Sequence, residues 1–227
     1  MESLQRLKGD NASVATTNVE KNSEKRTNTS QIPRPVLWLS GDKEPSDVKI
    51  VRRGGKIAEG KFGKGIQFDG KSYLEMNATL PTNNSPRTMA VWIRNERQQP
   101  RGYGGDQNVG VVVYGPNERT KPFGLLQAGG NWRFFDYSGG LDSGVEVDRI
   151  WHHHSVTSDG ITIRYYVDGN KVGSVERPLT TSVGTLKVGG LDEGSTFVGT
   201  IDELCFFDVP LSEEQIQLIM RNKINAN

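Results

Sequence analysis

The sequence predicts an all-β domain, a sandwich of two antiparallel sheets with one short C-terminal helix and a disordered N-terminal tail. Three observations carry this. From residue 36 onward, short apolar runs recur in which apolar and polar residues alternate, as half-buried strands require. Turn residues separate these runs, and the 27 glycines and 10 prolines of the 227-residue chain suit a fold of many short strands. Helical periodicity is read at one stretch, residues 212–220.

The length suits one large all-β domain, assigned here to residues 35–222. Residues 1–34 are rich in Asn, Ser, Thr, Glu and Lys and nearly free of aromatics, so they bury too little apolar surface to offset the entropy of ordering. They are read as a disordered linker, closed by Ile32-Pro33-Arg34-Pro35, where each proline holds the residue before it extended. Residues 223–227 form a C-terminal tail. Lys plus Arg (28) nearly balance Asp plus Glu (27), so no overall field draws the chain to nucleic acid. No segment approaches the roughly 20 apolar residues of a membrane helix, which argues against membrane insertion by this chain. Cys205 is the only cysteine, which excludes a disulfide within one chain and a thiolate zinc site. Within Leu204-Cys205-Phe206-Phe207 it reads as a small buried hydrophobe. The first residues lack the apolar core of a secretory signal. Sequons at Asn11, Asn28, Asn77 and Asn83 would mark surface positions only in a eukaryotic secretory route.

The elements follow in order. Val36-Leu37-Trp38-Leu39 suits a buried strand and Val48-Lys49-Ile50-Val51 a weaker second one. Ile66 and Phe68 alternate with Gln67, and Leu74 and Met76 alternate with Tyr73 and Glu75; Asp69-Gly70 between them predicts a hairpin. In 88–94 one face is Met89, Val91 and Ile93 and the other Ala90, Trp92 and Arg94, so both faces are expected to be covered. Residues 95–108 read as a long polar loop. Strands at 109–114, 123–128 and 132–135 are separated by Gly115-Pro116-Asn117 and Gly129-Gly130-Asn131. The stretch 151–174 reads as a β-meander, because Ser158-Asp159-Gly160 and Asp168-Gly169-Asn170 supply the positive φ angles of tight turns. A strand at 185–188 and one at 197–204 follow. The helix then starts at Ser212, a cap whose reciprocal partner is Gln215, with Glu213 and Glu214 at the positive helix end and Ile216, Ile219 and Met220 on one apolar face.

Several of these stretches carry a resemblance. Trp151-His152-His153 leads into an Asp-Gly turn and then Tyr166-Val167-Asp168-Gly169. Gly60-Lys61-Phe62-Gly63 runs on to Phe68-Asp69-Gly70, and Phe197-Val198-Gly199-Thr200-Ile201-Asp202-Glu203-Leu204 precedes Leu211-Ser212 and Ile216. Together they resemble the laminin-G-like family of concanavalin A-like lectin/glucanase jelly rolls over about residues 36–220. Gly65 stands where that family usually has alanine, and His154 where it has an apolar core residue. The resemblance implies a concanavalin A-like jelly roll and a buried Trp151 beneath the meander. It implies a non-catalytic module that binds glycan on a cell-surface or extracellular protein. The alternative is an adhesion or spacer domain that contacts a surface protein and no sugar.

The three histidines are consecutive, which places His152 and His154 on one strand face and His153 on the other. An i, i+2 pair is able to ligate a metal, but no carboxylate is placed beside it, and hydrogen-bonded buried imidazoles are the reading preferred. A glycoside hydrolase is the enzyme to test against. Glu146-Val147-Asp148 begins the Glu-x-Asp pattern of laminarinase-type glucanases, but Arg149-Ile150-Trp151 follows and the second glutamate is absent, so no enzyme is expected. Calcium is the ion the resemblance implies, through Asp69 and Asp202; against it stands the commoner role of Asp in turns and backbone hydrogen bonds. For the sugar, strand 161–167 turns Ile161, Ile163, Tyr165 and Val167 inward and Thr162, Arg164 and Tyr166 outward. Arg164 and Tyr166, joined by His153 of the neighbouring strand, are the predicted ligand-binding residues. Tyr114, Trp132 and Tyr137 are further aromatics with polar neighbours, suited to stacking on a sugar ring.

Overall fold

The computed structural model describes residues 32–45, 48–52, 54–97 and 108–222. Nearly all of the predicted linker, most of the 95–108 loop and the tail 223–227 lie outside these residues. Fifteen strands are found among the described residues. They are β1 (Leu37–Leu39), β2 (Lys49–Arg52), β3 (Lys56–Glu59), β4 (Lys64–Asp69), β5 (Leu74–Asn77), β6 (Arg87–Asn95), β7 (Val109–Tyr114) and β8 (Phe123–Ala128), followed by β9 (Asn131–Phe135), β10 (Leu141–Glu146), β11 (Trp151–Ser158), β12 (Thr162–Val167), β13 (Asn170–Glu176), β14 (Thr185–Val188) and β15 (Val198–Phe207). A helix, α1 (Glu213–Arg221), closes the chain order.

The strands form two antiparallel sheets. One runs β13-β12-β11-β6-β15-β4-β3, with β1 also paired to β15; the other runs β10-β9-β8-β7-β14-β5-β2. The expected sandwich and the β11-β12-β13 meander are thus present. Alternation sets the packing: Met89, Val91, Ile93, Val156 and Tyr165 of the first sheet face Leu125, Trp132, Phe134, Leu186 and Val188 of the second in one core. Each fully buried side chain of this kind stabilises the fold by ~1.5–3 kcal/mol.

Two expectations are corrected. Asp69-Gly70 does not close a hairpin, because β4 pairs with β3 and β15 while β5 pairs with β2 and β14. Ile66 and Phe68 enter the core from one sheet and Leu74 and Met76 from the other, so the turn carries the chain across the sandwich. Ile161, assigned to the core, is 69% exposed because β12 begins one residue later. Two strands were not foreseen. β3 is a short, mostly exposed edge strand, and β10 carries Gly144 at φ +67°, where its pairing with β9 shifts register.

Helix α1 lies outside the first sheet. Ile216 and Ile219 pack with Ala90, Tyr166, Cys205, Phe207 and Leu211 in a second apolar cluster. The helix start is as the sequence predicts, with the Ser212 hydroxyl accepting from the Gln215 amide at 3.2 Å and the Gln215 side chain accepting from the Ser212 amide at 2.9 Å. This layer covers the second face of β6 at Ala90.

Candidate functional site

The predicted ligand-binding residues share the outward face of the first sheet but do not form an open surface. Tyr166 is 3% exposed, because α1 packs over it and its hydroxyl faces the Glu213 carboxylate. His153 is 2% exposed and tilted against Trp92, with ring centroids 5.2 Å apart; burial pushes its pKa down to about 3, so it is neutral. Phe62 meets Trp92 edge-on and the Lys61 ammonium sits 4.3 Å above the same ring, so the loop before β4 roofs this part of the sheet. Arg164 stays half-exposed and is engaged by Asp159 at 2.7 Å. Backbone amides and Arg164 hold the Asp159 carboxyl down at about 2. Trp151 is half-buried rather than buried, since it lies at the open end of the face with the Arg94 guanidinium 5.0 Å over its ring.

The other histidines do structural work. His154 is fully buried between Trp132 of the opposite sheet, 4.7 Å away, and Tyr165, whose hydroxyl is 2.9 Å from Nδ1. Burial pushes its pKa down to about 3. His152 bridges two carboxylates, Asp168 at 2.7 Å and Asp148 at 3.1 Å, and the Asp168 hydrogen bond raises its pKa. The two predicted metal ligands do not converge. In the β4/β15 register Asp69 pairs with Val198, four residues before Asp202, a separation of ~13 Å along the strand. Asp202 is fully buried and accepts from the Phe62 and Glu203 amides, while Asp69 accepts from Lys71 in its turn. Both oxygens of Asp202 are thus engaged by backbone amides and one oxygen of Asp69 by another, and the two carboxylates are not brought together. Among the described residues no group of three or more His, Cys, Asp or Glu is arranged to hold a metal.

An open site lies elsewhere, on the outward face of the second sheet. In β8, Phe123 and Leu125 enter the core, which turns Leu126 and Ala128 outward; in β9, Trp132 and Phe134 enter the core, which turns Arg133 and Phe135 outward. These residues line a cleft of about 360 Å³ together with Asn108 and the turn that holds Tyr137, Gly139 and Gly140. Its size falls at the small end of ligand pockets, roughly 300–1,000 Å³. Tyr137 is 54% exposed and takes φ +61°, an unusual conformation for a bulky side chain, and its ring meets Phe135 edge-on at 5.7 Å. Arg133 lies 3.6 Å from Asp142, whose other oxygen accepts from Gly144 and Asn131. An exposed ring beside guanidinium and amide donors is able to stack on an apolar ligand face and bind its hydroxyl groups. Of the four aromatics read as stacking candidates, Tyr114 and Trp132 are core and Tyr166 is covered, which leaves Tyr137. Arg133, Phe135 and Asn108 were missed. The in-out alternation of Asn131-Trp132-Arg133-Phe134-Phe135 is the signal that points to the first two.

Residues 68–217 match a family profile described as the concanavalin A-like lectin/glucanases superfamily. Comparison with curated proteins finds no match. Among solved structures, the chain is similar to domain 4 of AbnA, an extracellular arabinanase from Geobacillus stearothermophilus in complex with arabinotriose. The TM-score is 0.63 at 18% identity over 84% of this chain and 100% of that one. It is similar to the binding domain of Paraclostridial Mosquitocidal Protein 1, with TM-score 0.64 at 16% identity over 82% of this chain and 52% of that one. A third similar structure is the Trypanosoma rangeli sialidase in complex with the inhibitor DANA, with TM-score 0.52 at 13% identity over 76% of this chain and 32% of that one. At these identities the likeness is one of fold.

Proposed function

The chain belongs to the concanavalin A-like lectin/glucanase superfamily, and from that premise we propose that it is a non-catalytic module that recognises glycan at a cell surface or outside the cell. The observation that carries the reading is the cleft on β8 and β9, where the exposed Tyr137 ring stands beside Phe135, Arg133 and Asn108. This moves the expected site from Arg164, Tyr166 and His153 to the opposite sheet. A sugar-binding relative in fold, the arabinotriose-bound AbnA domain, adds support. Asp148, from the broken Glu-x-Asp pattern, is taken up by His152 and by the Ile150 amide. Among the described residues no helix is long and apolar enough to cross a membrane.

A single shallow cleft binds a short oligosaccharide near millimolar, about 4 kcal/mol, so several copies would be needed for tight attachment. The test is calorimetric titration with arabinotriose, cellotriose, laminaritriose and trigalacturonate. Tyr137→Ala is expected to weaken binding roughly tenfold while leaving the fold intact. Lack of binding by the parent to every sugar in the panel favours the adhesion or spacer reading instead.

A further inference from the structure

We propose that Arg177 is a positioning residue for the cleft, reaching from the edge of the first sheet to hold the Tyr137 turn of the second in its ligand-ready shape. The proposal rests on the glycan reading above. Arg177 directly follows β13, and its amide donates to the Ile161 carbonyl, which fixes it to the first sheet. Its guanidinium crosses to the turn after β9. There Nη1 donates to the Ser138 carbonyl and Nη2 to the Gly140 carbonyl, each at 3.3 Å, and Nε lies 2.6 Å from Asp136 Oδ2.

Asp136 is fully buried, and its other oxygen accepts from the Ser138 and Gly140 amides at 2.9 and 3.1 Å. Its carbonyl accepts from the Thr120 amide at 2.9 Å. The turn is therefore gripped from both sides, its amides by Asp136 and its carbonyls by Arg177. That grip is needed because three of its residues take left-handed backbone, Tyr137 at +61°, Gly139 at +109° and Gly140 at +59°. At Gly140 a Cβ would fall 2.1 Å from the Phe134 carbonyl oxygen, so the turn closes tightly onto β9. Without the fork, the local Asp136 bonds alone hold the turn, its carbonyls are released, and the Tyr137 ring loses its fixed place beside Phe135. Holding the ring before the ligand arrives saves the cost of ordering it on binding.

Arg177→Lys is the informative substitution, since lysine keeps a cation near Asp136 but lacks the planar fork that reaches both carbonyls. Binding of the tightest-bound trisaccharide in the panel is measured for the parent, Arg177→Lys, Tyr137→Ala and the double variant, each first checked for folding. A loss of roughly tenfold is expected for Arg177→Lys, with no further loss when it is added to Tyr137→Ala, because both act through the same ring. The Ser138 and Gly140 amides should also exchange hydrogen faster in Arg177→Lys, a readout that needs no ligand. If Arg177→Lys does not fold, Asp136→Asn carries the same test with a smaller loss expected. Unchanged binding and unchanged exchange in the folded variant overturn the clamp and leave the glycan reading standing. Binding by the parent to none of the sugars overturns both.

Discussion

His154 of one sheet lies against Trp132 of the other with ring centroids 4.7 Å apart, so an ionisable ring sits where the two layers of the sandwich meet. Its Nδ1 has the Tyr165 hydroxyl, and its Nε2 has no hydrogen-bond partner. The cost of that arrangement depends on pH. His153 and His154 have folded pKa values of about 3, below the ordinary 6.5, because burial disfavours the charged ring. Below pH 6.5 the unfolded chain takes up protons that the folded chain refuses, so stability falls as the solution becomes acidic. His152 has the opposite sign: its raised value gives stability that is complete below 6.5 and is lost as pH rises through the folded value, so it offsets part of the acid loss near neutrality and adds nothing further below pH 6.5. The two buried rings together are expected to cost ~4 kcal/mol between neutrality and pH 5, read as a lower urea midpoint. Replacing His154 with Leu and Tyr165 with Phe removes both hydrogen-bond partners and should flatten about half of this dependence; an equally steep profile in that variant would count against the burial.

Tyr137 holds a left-handed backbone with its side chain 54% exposed, so its strain is not repaid by burial. Tyr137→Gly is expected to leave stability unchanged or raise it by up to ~1 kcal/mol, relief of strain being partly offset by the entropy of the unfolded glycine. The same variant should bind sugar more weakly. A clear drop in melting temperature would mean that the tyrosine is structural.

Cys205 lies fully buried beneath α1, and burial pushes its thiol well above the ordinary range. The native protein should therefore react slowly with a disulfide reagent. Ile216→Ala, at the centre of the covering contact, is expected to cost ~2–4 kcal/mol and to speed the reaction roughly a hundredfold through easier opening of the helix. Equal rates in parent and variant would show that α1 does not guard the thiol.

What the sequence determined by itself was local. The alternation of Ile163, Tyr165 and Val167, the turns at Asp159-Gly160 and Asp168-Gly169, and the Ser212–Gln215 capping box depend on neighbours a few residues apart, and all are found in the structure. Alternation also separates the two faces of each strand, and it placed Arg164 and Tyr166 together correctly. It carries no information about what lies above a face. Tyr166 is closed off by Ile216 and Ile219, some fifty residues later in the chain, while on β8 and β9 the described residues leave a cleft beside Arg133 and Phe135. The tertiary structure likewise decided that Asp69-Gly70 crosses between sheets, since the choice lies in pairing with β15 and β14 rather than in the turn. It also brought Arg177 to Asp136, forty-one positions away, because burying a carboxylate requires a cation and side-chain reach, not sequence distance, determines which one arrives.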